Sequence, residues 1–335
     1  AFIAGPLLSR WADTYGRRRV LLVTGVLNSG ALTAIVLAPP RPVLLACLSL
    51  LSGLTTPPIA AAVRAVLPEL VDKDRRRSVF ALESTLQELV FVLGPPVTAL
   101  LTAFAGARFA VIVCAALVLL GVLGYARDPK AEIGRNAGFR VNRRPVLGVP
   151  GISRLVVAGA LLFAALGCQA IGVIAMVSGS GVSSNAGFVV ACGSLGSLVG
   201  GLVYGSLTRH RAGLRHLLFL FTAGFLLLLL TGRPIVLAFL VFLWGLTIAP
   251  AMSRLLERLS TLAPPESTTE VFGWTNSATA GGNALATAVS GFVVTAYGAR
   301  ASLVTGCALG LIAAMICEPA QARPPPALAT PPRIL

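Results

Sequence analysis

Glu83 and Glu88 are the only two of the chain's twelve acidic residues that fall inside an apolar stretch; the rest lie in loops, tails or the ends of such stretches. A carboxylate at the centre of a membrane-spanning helix costs about 3 kcal/mol, so it needs a partner or a task. Glu83 sits about one helical turn into its stretch. Arg64 lies at a similar depth on the preceding stretch, which runs the other way. That register predicts an Arg64–Glu83 pair, acting as a static brace or as a gate. Glu88 is about ten residues in, or about 15 Å at helical rise, near the midplane. The sequence offers it no basic partner at that depth. Three readings stand: a carboxyl that takes up and releases a proton, an attractor for a cationic substrate, or a hydrogen-bond partner of a first helix expected before the start of this sequence.

Uncharged polar groups at similar depth are Thr55, Gln169, Trp244, Thr247, Asn276 and Asn283. They are candidates for lining a cavity, although amides and hydroxyls also bridge helices. The glycines between 193 and 205 and the pair Gly281-Gly282 suit close helix packing. No Walker lysine follows them, so they do not form a phosphate loop. The six cysteines lie in apolar stretches without a CxxC, and His210 and His216 share one basic loop. This pattern supplies neither a disulfide frame nor metal ligands nor a convergent nucleophile and base. An embedded enzyme, a metal and a cofactor are not expected.

The elements that must hold these groups follow from composition. The chain is 56% hydrophobic and 12% charged, where a soluble protein carries roughly a quarter charged residues. Its net charge is +15, but the basic residues segregate by loop. One set of alternate loops holds nearly all of them, including Arg10, Arg17 to Arg19, Lys73 to Arg77, the stretch 127–154, Arg209 to Arg215, Arg254 and Arg258. The other set holds only Arg41, Arg108, Arg233 and Arg300. This asymmetry assigns the first set to the cytoplasm and removes the need for a nucleic-acid partner. The sequence therefore predicts an all-α, multi-pass protein of the cytoplasmic (inner) membrane, embedded in the lipid bilayer, with its C-terminus in the cytoplasm. A stub at 1–9 precedes spans at about 20–38, 42–67, 79–102 and 107–125. Further spans follow at about 153–177, 185–207, 216–231, 234–253, 270–295 and 301–317. This divides the chain into a helical bundle at 1–125, a cytoplasmic linker at 126–152, a second bundle at 153–317 and a Pro-rich, disordered tail at 318–335.

The two bundles repeat each other 192 positions apart. Arg41, Pro42, Gly53, Thr55 and Pro58 recur as Arg233, Pro234, Gly245, Thr247 and Pro250, and Gly106-Ala107-Arg108 recurs as Gly298-Ala299-Arg300. The second copy opens with two spans before its basic loop, whereas the first has only the end of one. Symmetry thus predicts twelve helices as six plus six, with about 11 present, the first partial, and roughly 40 residues preceding the stub.

The first basic loop carries Asp13-Thr14-Tyr15-Gly16-Arg17-Arg18-Arg19 after Ser9. Gly16 permits a tight turn, the arginines hold the cytoplasmic face, and Asp13 can pair with them or cap a helix. This loop resembles the signature of the major facilitator superfamily (MFS), G-x-x-x-D-x-x-G-R-[RK]-[RK], which Asp13, Gly16, Arg17, Arg18 and Arg19 match. Ser9 stands where that family has glycine, which predicts a relaxed helix contact there. Gly94-Pro95-Pro96 resembles the helix-kink signature of facilitator antiporters, although Pro96-Val97 departs from its longer form. A purely structural kink is the other reading.

The resemblance implies two pseudo-symmetric six-helix bundles and a monomer. It also implies that Asp13 and the arginines latch onto the eleventh family helix near Thr268 to Glu270. The activity implied is secondary active transport of a small molecule by alternating access. Proton-coupled export of an efflux-like antiporter is the leading form. Proton-coupled uptake of a small metabolite and a non-transporting truncated product are the alternatives.

Overall fold

The computed structural model describes residues 4–72, 75–132, 146–149, 151–178, 185–206 and 213–317. Inside a bilayer every backbone polar group must be satisfied within its own segment, and an apolar chain of this kind answers with helices. The first half contains α1 (Ala4–Tyr15), α2 (Arg17–Leu37), α3 (Pro42–Leu54), α4 (Ile59–Val66) and α5 (Arg76–Arg127). The second contains α6 (Ile152–Ser178), α7 (Asn185–Ser206), α8 (Leu214–Leu229), α9 (Pro234–Gly245), α10 (Ile248–Leu262), α11 (Thr268–Tyr297) and α12 (Ala299–Ile316). Among the described residues, seven stretches are long and apolar enough to cross a membrane. The tail and most of the linker lie outside the described residues.

The repeat is visible in the backbone. α5 runs on as one helix except at Gly106, whose φ of 82° and ψ of 163° break it into two membrane-length pieces. Its repeat mate Gly298 has φ 84° and ψ 167° and separates α11 from α12. Only glycine enters this region without strain, so the turn geometry and the residue recur together. Arg41 and Arg233 both occupy N-caps, each followed by a proline at the first helical position, where a missing N–H removes no bond.

Two spans expected as continuous are broken. The stretch 42–67 divides into α3 and α4 at residues 55–58, and 234–253 divides into α9 and α10 at 246–247. Pro57 and Pro58 supply no N–H to carry the first helix onward, and Pro250 sits in the opening turn of α10. The hydroxyls of Thr55 and Thr56 and the Asn28 amide donate to carbonyls freed at the first break, including Ser52 O. Thr247 donates to Trp244 O at the second. Helices also overrun their expected ends on the basic side: Arg254 and Arg258, expected in a loop, lie within α10, and Arg254 pairs with Glu257.

Close packing rests on small residues. A Cβ at Gly196 would overlap Phe242 O, and one at Gly200 would overlap Leu246 O, so α7 lies directly on the backbone of α9 and its junction. Phe221, Phe225 and Trp244 pack as a triplet in the second half, with the Trp244 indole N–H donating to Phe221 O at 3.0 Å. The halves meet where α1 and α4 pack on α11 and where α5 packs on α7 and α10.

Candidate functional site

The basic end of the molecule carries the first site. Gly16, with φ 110°, turns the chain between α1 and α2 and leaves Asp13 and Arg17 on one side of the turn. Ser267 precedes α11 without capping it. Asp13 takes that role from another part of the chain: Oδ1 accepts from Thr269 N at 3.3 Å and Oδ2 from Glu270 N at 2.8 Å. A carboxylate on the exposed N–H groups of a helix start also meets the positive end of its dipole. Arg17 Nε donates to Thr269 Oγ1 at 2.8 Å, and Arg17 Nη2 lies 3.7 Å from Asp13 Oδ1. Arg18 and Arg19 are exposed. Burial pushes the Asp13 carboxyl up to about 6, against the opposing pull of the Thr269 hydroxyl, Arg17 and the two backbone N–H groups. The 30 residues of α11 span about 45 Å at helical rise, longer than a hydrocarbon core of about 30 Å.

The relaxed contact expected at Ser9 is overturned. Ser9 is fully buried against Gly273 of α11, and a Cβ on Gly273 would overlap the Ser9 side chain. The glycine that permits close approach stands on the partner helix instead.

The second site is centred on Arg64, 1% exposed on α4. Its Nε and Nη2 approach Glu83 Oε1 at 2.9 and 2.8 Å. Nη2 also donates to Gln87 Oε1 at 2.7 Å, and Nη1 donates to Asn276 Oδ1 at 2.6 Å. The guanidinium thus ties α4 to α5 within its own half and to α11 of the other. Glu83 Oε2 is buried, with no hydrogen-bond partner among the described residues. Further bonds cross between the halves nearby: Ser253 Oγ lies 3.3 Å from Ser84 Oγ, and Ser78 Oγ donates to Gly205 O at 3.0 Å.

Two cavities flank Arg64. One, of about 330 Å³, lies among α5, α6, α7, α9, α10 and α11 and is lined in part by Gln87, Gln169, Trp244 and Asn283. The other, of about 530 Å³, lies among α1, α4 and α11 and includes Asn276 and Ser277. Gln169, Trp244 and Asn283 therefore share one cavity and Asn276 borders the other, whereas Thr55 and Thr247 line neither and close broken helix ends instead. Glu88 lies in α5, but its side chain is outside the described residues, as is that of Pro95. Gly94 is helical, with open space where a Cβ would point. Sequence reasoning missed Gln87. Its spacing of four from Glu83, which stacks the two on one helix face, was the available signal.

The repeat isolates what is special here. The positions matching Arg64, Glu83, Gln87 and Glu88 in the second half are Leu256, Thr275, Thr279 and Ala280. The shared fold recurs, and the ionisable set does not.

The family model of the Major Facilitator Superfamily matches residues 1–287. No curated protein matches the chain. Among solved structures, the human organic anion transporter MFSD10 (TETRAN) is similar at a TM-score of 0.73 and 19% identity, over 94% of this chain and 80% of that one. A bacterial homologue of the iron transporter ferroportin in an outward-facing state is similar at 0.74 and 16%, over 94% and 86%. At these identities the likeness concerns the fold. A signature loop latched across two repeated halves, on this fold and under this family model, makes the chain a membrane transporter of the major facilitator superfamily.

Proposed function

We propose that this protein is a secondary active transporter that exports a small molecule in exchange for protons across the cytoplasmic membrane. The observation that carries this reading is the bolting of the two halves at the basic end, through Asp13 and Arg17 on Thr269 and Glu270 and through Arg64 on Asn276. Bonds that join the halves on the cytoplasmic side must break for a cavity between them to face that side, which is what alternating access requires. The state described is then the one closed to the cytoplasm. The basic loops support that orientation, with the C-terminus inside. The Gly94-Pro95 pair and the acids of α5 favour proton-coupled export. Glu88 is the proposed proton carrier, and Arg64 with Glu83 is the gate that responds to it. The 330 Å³ cavity is the proposed substrate site.

The test is growth protection. Cells stripped of their own exporters express the protein, or its Glu88→Gln variant, and face a panel of toxic compounds. Protection by the parent that is lost in the variant supports the reading. Equal protection keeps export and removes Glu88 from it. No protection from a membrane-inserted parent overturns export and turns the reading to uptake.

A further inference from the structure

The walls of the 330 Å³ cavity define what it can hold. Most of them are apolar, with Leu162, Phe163, Leu166, Ile248 and Met252 among them, and the described residues that line it include no charged side chain. Arg64 and Glu83 lie close by but are committed to each other, and Arg64 directs its remaining N–H groups to Gln87 and Asn276. A charged ligand would therefore shed its water and meet no opposite charge among these groups, which is strongly unfavourable.

Two amides in the wall have donors to offer. Gln169 is 5% exposed, and its buried Nε2 has no hydrogen-bond partner among the described residues. Gln87 has its carbonyl oxygen engaged by Arg64, and its amide N–H groups remain on offer. Trp244 has its N–H occupied by Phe221 O, so it presents only ring to the cavity. A buried donor left unpaired is costly, and that cost is recovered when an acceptor reaches it.

We propose that this cavity binds an uncharged, mainly apolar molecule bearing a ketone, amide or ether oxygen, which accepts a hydrogen bond from Gln169 Nε2. This inference rests on the cavity being the substrate site of the transport reading. It adds the substrate class. A volume of about 330 Å³ falls at the small end of the range for ligand pockets, so a compact molecule fills it.

The experiment is photolabelling of the purified full chain in lipid nanodiscs with three probes that share one chromophore. They are neutral benzophenone, anionic 4-benzoylbenzoate and cationic (4-benzoylbenzyl)trimethylammonium. Saturable labelling of peptides containing 162–170 and 248–252 is read by mass spectrometry. Benzophenone is expected to half-saturate at about tenfold lower concentration than either charged probe. Gln169→Leu is expected to raise its half-saturation about three- to tenfold, the range for one net hydrogen bond. The proposal is overturned if a charged probe labels these peptides as readily as the neutral one. It is also overturned if a folded Gln169→Leu variant keeps the parent's half-saturation. Should that variant not fold, the charge series on the parent decides alone. Labelling reports occupancy without transport, so failure of growth protection with the neutral preference intact refutes export only. Reversed charge preference with protection intact refutes the substrate class only.

Discussion

Replacing Arg64 by methionine removes every bond of a guanidinium that is almost wholly buried. It leaves Glu83, whose side chain is 18% exposed, without the cation it pairs with among the described residues. Breaking a buried ion pair by deleting one partner costs roughly 3–5 kcal/mol, mostly from the stranded charge. The partial exposure of Glu83 points to the low end, about 3 kcal/mol. Glu83→Gln strands the arginine instead but keeps an acceptor for it, so a loss of about 2 kcal/mol is expected. The double variant strands no charge, although Gln87 and Asn276 still lose their donor. Its stability should lie within about 2 kcal/mol of the parent, well short of the sum of the single losses. A coupling of about 3 kcal/mol or more is therefore expected from the cycle. The assay is equilibrium unfolding in mixed micelles with increasing sodium dodecyl sulfate, each variant checked for membrane insertion first. Simple additivity, with coupling below about 0.5 kcal/mol, would refute the argument that the two charges sustain each other.

Asp13 gives a pH dependence with a defined sign. Its carboxyl lies at about 6 in the latch against 3.8 when unperturbed, so the latched state holds the proton more tightly. Latch stabilisation from this group is fully present below about pH 4, is lost as pH rises through about 6, and amounts to at most about 3 kcal/mol. Spin labels at Tyr15 and Leu262 should shift towards the short distance as pH falls from 7 to 4.5, and Asp13→Asn should abolish the shift; a pH-independent distance in the parent refutes it. Gly273→Ala should cost about 1–3 kcal/mol through overpacking against Ser9, and Ser9→Gly should restore it, read by thermal unfolding. Gly196→Ala drives a methyl into the Phe242 carbonyl, a backbone atom that cannot swing aside, and should lower folded yield sharply. Gly94→Ala meets open space and should change stability by less than about 1 kcal/mol, so loss of protection in that variant would reflect function rather than packing.

What the sequence disclosed and what it hid have physical reasons. The bilayer leaves the backbone almost no choice but helix, so apolar runs and basic loops suffice to lay out the spans. Gly106 and Gly298 punctuate both halves alike because their backbone conformation admits little else. The contact of Asp13 with the start of α11 was reachable only through a motif, since nothing local in residues 13 and 269 refers one to the other. The broken helices were hidden because a proline in an opening turn and a proline in a kink read identically along the chain. The Ser9–Gly273 exchange was hidden because small-residue packing is a property of two surfaces, and the sequence shows one at a time. Thr55 and Thr247 looked like cavity groups because midplane depth was the only cue, and the carbonyls they serve exist only once the helix breaks.

The pairing of Arg64 with Glu83 also fixes how this half answers to the membrane voltage. As an ion pair the two contribute no net charge, so swinging them through part of the bilayer performs no electrical work on their account. Were Glu83 protonated, one positive charge would be left uncancelled, and a full crossing would then be worth about 2.3 kcal/mol per 100 mV. The second half, with Leu256 and Thr275 at the matching positions, has no such lever. Glu83→Gln holds the cluster permanently in its charged form. Its transport rate should therefore depend on an imposed potential differently from the parent's, and identical voltage curves would show that the pair never sheds its neutrality.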